Sequence, residues 1–581
     1  MPNQIEDPRL SIWRDRIERS KKIRKKMLKD VKTYIQFYIG NQWGDKKTTL
    51  SEKPVINLIF SHVKTQIPSL YMRNPKWYCR PKGRKEELPQ LKIHAHLAET
   101  FLNYYANENL GISLKKQMRL AILDAFFAFG TIKVGYIADF EANPNYGKYN
   151  TLGQDEKGNP IYEVDKESGE LMKDDVEEIV TNEAFYARRR SPRVMLFDPE
   201  CENYFEDGRY IAEEIVKSVE DVKNSKLYDN TKNLEPSFSV KPGYNLDEKD
   251  KEDMPQITED LERITLYEIY DIEHDKLIVL AEDHDEFLRD ENIPDGIEGS
   301  PYEFLRFNEV PDELYPMADI KNLKPIQEEH NLGRAMIMTH AKRFARKYGY
   351  KQGTFPAGKE SEEMEKLKDP EDGGFFEYAE QMPEPMIDAP LDSAVYQNFQ
   401  QTKEDFWKAA GSTEHERGTV ERRKTAFEAG KISKEAGIRK EDKKSLTEDF
   451  AAGIGAKLLQ SFQANLTIEQ AVEIAGEIGK GWQNISRENI VGQFTVGVEI
   501  GSAAPAIPEF ERKDFMGIIA TLTQMPPDLV IPYVNFEGLL KVIPRLFPLI
   551  SEEEVLNSPE KVKEIQQMMK EQKQQEQQRK Q

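Results

Sequence analysis

The chain has little cysteine, little histidine and no long apolar run. Cys79 and Cys201 are its only cysteines among 581 residues. Two thiols so far apart build neither a disulfide framework nor a zinc site, and they fit a reducing compartment. No run of 18 apolar residues occurs, so no membrane-spanning helix is expected. The opening MPNQIEDPRLS lacks the apolar core of a signal peptide. Positive charge is outweighed as well: 82 Lys and Arg against 103 Asp and Glu leave a net charge of -21. That makes the chain a poor static nucleic-acid binder, because such affinity comes from Lys and Arg displacing counterions. It can still surround DNA without gripping it.

Catalytic signatures are missing too. There is no GxxxxGK[ST] phosphate loop and no GxSxG. The nearest phosphate-loop string, Gly476 to Gly481, has the wrong spacing in a helical-looking context. His94 and His96 stand two apart on an expected helix and point to opposite sides. His330, His340 and His415 are isolated. Glu414-His415-Glu416 has acid–base chemistry but no surrounding pocket signature. No catalytic residue, cofactor or metal is therefore expected.

What is present is length, aromatic residues and helical periodicity. The chain is 38% hydrophobic and 32% charged, and its 28 Phe and 24 Tyr supply core-forming area. A chain this long exceeds one ordinary core, and about three or four domains are expected. Residues 9–39 read as a helix with Ile12, Ile23, Met27, Val31, Ile35 and Tyr38 on one face and many Lys and Arg on the other. That basic face suits DNA, an acidic neighbour or plain solvent. Further helices are expected at Val55–Tyr71, Leu91–Asn107, Ser113–Phe129 (capped by Gly130) and Ala212–Leu227. Strands are expected at 132–138, 194–197, 264–272, 277–281 and 301–307, and residues 141–185 read as a long β-hairpin or a surface insertion. The fold class that follows is α+β, predominantly helical.

The most distinctive stretch runs from Ala318 to Leu466. Ile320, Leu323, Ile326, Leu332, Met336, Ile337, Ala341 and Phe344 mark one face of a helix over Ala318–Lys347. Pro325 either kinks it or marks its true first turn. Residues 348–390 are rich in Gly, Pro and acid, with room for a strand at Phe375–Ala379 and a helix at Ser361–Leu367. A second helix returns over Leu391–Ala410. The polar loop Gly411–Gly430 follows, carrying Arg417, Arg422, Arg423 and Lys424. A third helix then bears the ladder Leu446, Phe450, Ile454, Leu458 and Phe462, with Gly453 and Gly455 allowing close approach. Thr467–Gly479 reads as a short helix and Gln493–Ile500 as a strand. Phe510–Thr523 and Phe536–Leu546 read as helices before a Gln/Lys-rich tail.

Several phrases in order carry a resemblance. They are Tyr38-Ile-Gly40-Asn-Gln42-Trp43 with Pro54-Val-Ile-Asn57, Asp124-Ala-Phe-Phe-Ala-Phe-Gly130-Thr-Ile-Lys-Val-Gly135-Tyr136, and Val194-Met-Leu-Phe-Asp198-Pro199. Tyr315-Pro316-Met-Ala-Asp319-Ile320 with Pro325-Ile-Gln-Glu-Glu-His-Asn331, and Ile490-Val-Gly492-Gln-Phe-Thr-Val-Gly497, complete the set. Together they span most of residues 30–500. The chain resembles the portal proteins (head-to-tail connectors) of tailed bacteriophages, most closely those of the short-tailed type.

The resemblance implies a homo-oligomeric ring of about twelve subunits around a DNA channel at one capsid vertex. On that reading 1–317 is the wing, 318–347 the first stem helix, 348–390 the clip and 391–410 the second stem helix. Residues 411–430 are the tunnel loop, 431–509 the long wing helix and strands, 510–550 the crown and 551–581 a polar tail. The loop cations Arg417, Arg422, Arg423 and Lys424 would face double-stranded DNA. The clip acids Glu360, Glu362, Glu363, Glu365, Asp369, Glu371 and Asp372 would dock the terminase large subunit and then tail or adaptor proteins. Major capsid and scaffolding proteins would be further partners, with the protein in the virion and, during assembly, the host cytoplasm. A nuclease of the packaging apparatus and another capsid or scaffold component are the alternative readings.

Overall fold

The computed structural model describes most of residues 7–499 and a few positions between 517 and 524. Not described are 45–51, 83–88, 108–112, 155–159, 163–170, 237–261, 344–347, 369–376, 386–389 and 412–425, with single residues and short groups elsewhere. The chain is a helix and sheet mixture, 48% helical and 22% strand, which agrees with α+β. No described helix is long and apolar enough to cross a membrane. The expected helices at Phe510–Thr523 and Phe536–Leu546 and the polar tail lie largely or wholly outside the described residues.

Helix α1 (Pro8–Ile39) starts where the Asp7 carboxylate accepts from the Arg9 amide and ends at Gly40, whose φ of 95° needs glycine. Its buried face is rotated from the expected one. Ile12 is exposed, while Leu10, Trp13, Ile17, Val31, Tyr34 and Phe37 are buried. Trp13 and Ile17 pack on a sheet that supplies large aromatic partners such as Tyr210 and Tyr267, and this decides the face. Several basic residues of α1 meet acids of the same chain. Arg24 pairs with Glu214 at 2.5 Å, Arg14 with Asp285 at 3.1 Å and Lys21 with Glu282 at 3.5 Å.

Helices α2 (Leu58–Leu70), α3 (Pro89–Asn107) and α4 (Leu114–Phe127) follow, with strand β1 (Trp77–Pro81) between the first two. Gly130 does not cap α4, which closes at Ala128. Gly130 opens strand β2 (Gly130–Ala142), where an added Cβ would meet the Ala121 carbonyl oxygen at 2.4 Å. Its role is close approach of strand to helix. The strand expected at 132–138 extends into the 141–185 region and forms a hairpin longer than expected: β2 pairs antiparallel with β5 (Glu178–Arg189) from Ile132↔Arg189 to Ala142↔Glu178. The short strands β3 (Thr151–Gln154) and β4 (Pro160–Tyr162) pair between them. The basic run at 188–190 is also spent internally, with Arg189 on Asp124 at 2.5 Å and Arg190 on Glu213 at 2.8 Å.

A five-stranded antiparallel sheet contains β6 (Met195–Phe197), β7 (Tyr210–Ser218), β8 (Arg263–Asp271), β9 (Lys276–Ala281) and β10 (Phe287–Asn292). The expected helix at Ala212–Leu227 is overturned here: Tyr210–Ser218 is strand β7, and only Val219–Asn224 (α5) is helical. Ala-Glu-Glu favours a helix locally, but pairing with both β6 and β8 prevails. Strand alternation then serves two cores. Tyr267, Ile269, Ile278 and Leu280 face α1, whereas Ile264, Leu266, Val279 and Ala281 face α5.

Strand β11 (Tyr302–Leu305) completes a three-stranded sheet with β2 and β5. A buried polar cluster joins the two sheets. Lys133 on β2 donates to Glu268 at 2.6 Å and Glu213 at 3.2 Å. Tyr302 donates to Glu213 and Tyr270 to Glu268, each at 2.8 Å. Burial opposes the Lys133 charge, but the surrounding carboxylates and phenols outweigh it and hold the ammonium well above its ordinary range.

Candidate functional site

The stretch that stood out in sequence forms a helix pair. Its first member, α6, runs Lys324–Arg343 and not from Ala318; Asp319–Lys321 is a separate 3-10 turn. Pro325 lies in the first turn of α6, so it starts the helix and does not kink it. Strands β12 (Tyr348–Gly349) and β13 (Glu384–Pro385) pair and close the excursion, which contains α7 (Glu360–Lys368). Helix α8 (Ser393–Ala410) returns, started by the Asp392 side chain and stopped by Gly411 at φ 67°. The long helix α9 (Ala426–Asn465) follows. The helix therefore takes in the last residues of the expected 411–430 loop, because Ala-Phe-Glu-Ala is a good helix former and Gly430 does not break it.

Apart from the small Ala335, the buried face of α6 is polar, contrary to the expected apolar stripe. Leu332 and Met336 are exposed, whereas Gln327, His330, Asn331 and Thr339 are buried. The physical reason is the backbone that α6 meets. The Gln327 carbonyl oxygen accepts from the Leu58 amide at 2.9 Å and the Ile59 amide at 3.3 Å, and its amide donates to the Ile56 carbonyl at 2.8 Å. Asn331 accepts from Ile56 at 3.2 Å and donates to Gln42 at 2.5 Å. An apolar residue at 327 would remove an acceptor from the Leu58 and Ile59 amides that open α2, and one at 331 would remove the acceptor of the Ile56 amide just before it.

The near end of the pair is anchored and the far end projects. Phe406 and Trp407 near the end of α8 enter the main core, while most of residues 392–401 are exposed or half-buried. Below the near end, Asp319 accepts from His62 of α2 at 3.1 Å and from Lys443 of α9 at 2.6 Å. Burial pushes the Asp319 carboxyl up, but the His62 hydrogen bond and the Lys443 ammonium outweigh it and hold the carboxyl well below the usual range. Asp319 also lines a cavity of about 370 Å³ at the root of the polar loop, with Leu323, Gly411, Arg439, Lys440 and Lys443. Arg439 donates to the Ala409 carbonyl at 3.3 Å, a favourable place for a cation at a helix C-terminus.

The expected site residues fare unevenly. Arg417, Arg422, Arg423 and Lys424 lie outside the described residues, as do Asp369, Glu371 and Asp372. Glu360, Glu362 and Glu365 lie exposed on α7. Glu363 does not join them: it is buried and accepts from the Glu377 amide at 2.7 Å, so it serves the excursion's own fold. Glu377 and Tyr378, the described part of the strand expected at Phe375–Ala379, are in no ladder. Sequence reading missed Arg439, Lys440 and Lys443 at the loop root. Their signal was the run Arg439-Lys-Glu-Asp-Lys-Lys444, which looks like a solvated helix face.

The third helix is as expected in its core face. Phe450, Ile454, Leu458 and Phe462 are all buried, and Leu446 at the start of the ladder is half-buried against the same core. Both its glycines accommodate close neighbours: an added Cβ at Gly455 would meet the Trp77 ring at 2.4 Å, and one at Gly453 would meet the Glu303 carboxylate at 2.3 Å. The expected helix at Thr467–Gly479 is overturned. Gln470–Gly476 (β14) pairs with Gly479–Ile485 (β15) as a hairpin, since cross-strand pairing overrides the helix preference of Ala and Glu. Strand β16 (Phe494–Val498) is present and pairs with β1. No protein-family model matches the chain, and no curated protein matches it in sequence.

Proposed function

We propose that the protein is a portal of a tailed bacteriophage, of the short-tailed type. It forms a ring of about twelve subunits at one capsid vertex, through which DNA is packaged and ejected. The observation that carries the reading is the α6–α8 pair. Two helices leave an α+β body together, the excursion holding β12, α7 and β13 lies at their far end, and Arg439, Lys440 and Lys443 stand with Gly411 around a cavity at their near end. In this reading the pair is the channel wall, the excursion is the dock for the terminase large subunit and later tail or adaptor proteins, and the loop meets the DNA. ATP hydrolysis belongs to the terminase, and the protein itself is a conduit and not an enzyme.

An acidic ring suits such a conduit. A net charge of -21 per chain opposes stable phosphate binding, and a few cations per subunit give weak contacts along which DNA slides. The test is electron microscopy and native mass spectrometry of the purified protein. Closed rings of about twelve subunits are expected. Monomers or dimers alone under assembly conditions would sink the proposal.

A further inference from the structure

The turn between β8 and β9 lies on the five-stranded sheet, outside the helix pair. It brings together three metal-ligand side chains. Ligand atoms of Asp271, Glu273 and His274 all lie within 4.8 Å of one another. His274 Nδ1 is 2.9 Å from Asp271 Oδ2. Acidic groups often cluster on surfaces without a metal, but this cluster has a second feature. Asp271 is only 4% exposed, and its Oδ1 is buried with no hydrogen-bond partner.

The cations nearby form their ion pairs elsewhere, although Arg209 also feels the charge of Glu273. Lys276 stands opposite Asp271 in the ladder, yet its ammonium pairs with Asp290 at 3.6 Å. The Arg209 guanidinium is held by Asp198 at 2.8 Å and Glu200 at 2.9 Å. A buried carboxylate oxygen without a donor is costly, and a bound cation removes that cost. The turn backbone is also fixed. The Ile272 and Glu273 amides donate to the Arg209 carbonyl at 2.8 and 3.3 Å, and the Ile293 amide donates to the Asp275 carbonyl at 2.9 Å. The three side chains therefore project from a rigid frame, as a metal site requires.

We propose that Asp271, Glu273 and His274 bind a divalent cation of the zinc or manganese class. Two carboxylates and an imidazole suit such borderline ions, whereas magnesium and calcium take oxygen ligands. Glu273 and His274 are exposed and free to close on an ion, while Asp271 supplies the fixed carboxylate. Water fills the remaining positions, and the bound ion ties the turn together.

The test is calorimetric titration of the chelator-stripped full chain with Zn²⁺ and, separately, Mg²⁺. The variants are Glu273→Gln and His274→Ala, whose side chains are exposed; circular dichroism checks that both remain folded. One Zn²⁺ per chain is expected, weakened about tenfold or more by each substitution, with Mg²⁺ bound much more weakly. No Zn²⁺ uptake, uptake that either variant leaves unchanged, or Mg²⁺ bound as tightly as Zn²⁺ would overturn the assignment.

Discussion

His330 of α6 lies flat on Phe399 of α8, with ring centroids 4.3 Å apart and planes 14° from parallel. The same imidazole places Nδ1 3.0 Å from the Thr402 hydroxyl, which donates its own proton to the Phe399 carbonyl. Thr402 must then accept, so Nδ1 carries the hydrogen. Burial, with Lys403 and Arg334 nearby, pushes the His330 pKa down and keeps the ring neutral. One ring thus joins the two helices by stacking and by a hydrogen bond.

His330→Ala is therefore expected to cost about 2–3 kcal/mol by removing both contacts and leaving a cavity. Thr402→Val should cost about 1 kcal/mol and couple with it, because the two act through one hydrogen bond. A double-mutant cycle in urea measures this. Additive effects would show that the bond contributes nothing to stability.

The Asp319 carboxyl gives the chain an acid-side stability loss. Its folded pKa lies below the unfolded value, so the folded state binds fewer protons as pH falls through about 4. Stability is then lost at about 1.4 kcal/mol per pH unit below that point, until the folded carboxyl itself protonates. Asp319→Asn should flatten this slope. It should also cost about 3 kcal/mol at pH 7, since Lys443, with its side chain only 13% exposed, loses this carboxylate partner. Urea melts from pH 3 to pH 7 test both; an unchanged slope in the variant would remove Asp319 from the account.

Glu303 has the opposite sign. Burial, opposed by Lys457 at 3.7 Å, raises its carboxyl to about 7. The folded state therefore binds more protons than the unfolded one between about pH 4.5 and 7, and stability falls as pH rises across that window. Glu303→Gln should abolish the fall and leave the variant more stable at pH 8 by about 1–3 kcal/mol. A variant less stable than the parent at pH 8 would mean that the Lys457 pair outweighs the burial cost.

Much of this architecture is legible in the sequence because it depends on periodicity within one element. The α9 ladder, the β2–β5 hairpin and the β8–β9 hairpin all follow from local spacing. The misreadings share a different cause. Tyr210–Ser218 and Gln470–Gly476 are composed like helices and become strands only through partners distant in the chain or across a turn. The polar face of α6 was hidden for a similar reason: Gln327 and Asn331 look solvent-facing until the backbone of residues 56–59 is placed against them. The Asp319–His62–Lys443 contact joins residues far apart in the chain and has no local signature at all.

The polar loop can be tested apart from assembly. Arg422→Ala with Arg423→Ala removes two cations that the fold proposal places facing DNA, and the core of α9 around Phe450 lies far along the chain. Ring formation should be unchanged, and DNA packaging or retention should fall in an in vitro packaging assay. Normal packaging and retention would show that these two side chains do not meet DNA.

The excursion separates docking from folding within one short helix. Glu360, Glu362 and Glu365 are exposed on α7, whereas Glu363 is buried and holds the Glu377 amide. Replacing the exposed three by Gln should weaken binding of the terminase large subunit about tenfold and lose its salt dependence, with little change in stability. Glu363→Gln should act the other way. The amide can still accept from Glu377, but the charge-assisted bond becomes a neutral one, at a cost of about 1 kcal/mol in stability. If the triple variant binds terminase as the parent does, the dock lies elsewhere in the excursion. If Glu363→Gln weakens terminase binding more than the triple variant does, the order of the excursion matters to the partner more than its charge.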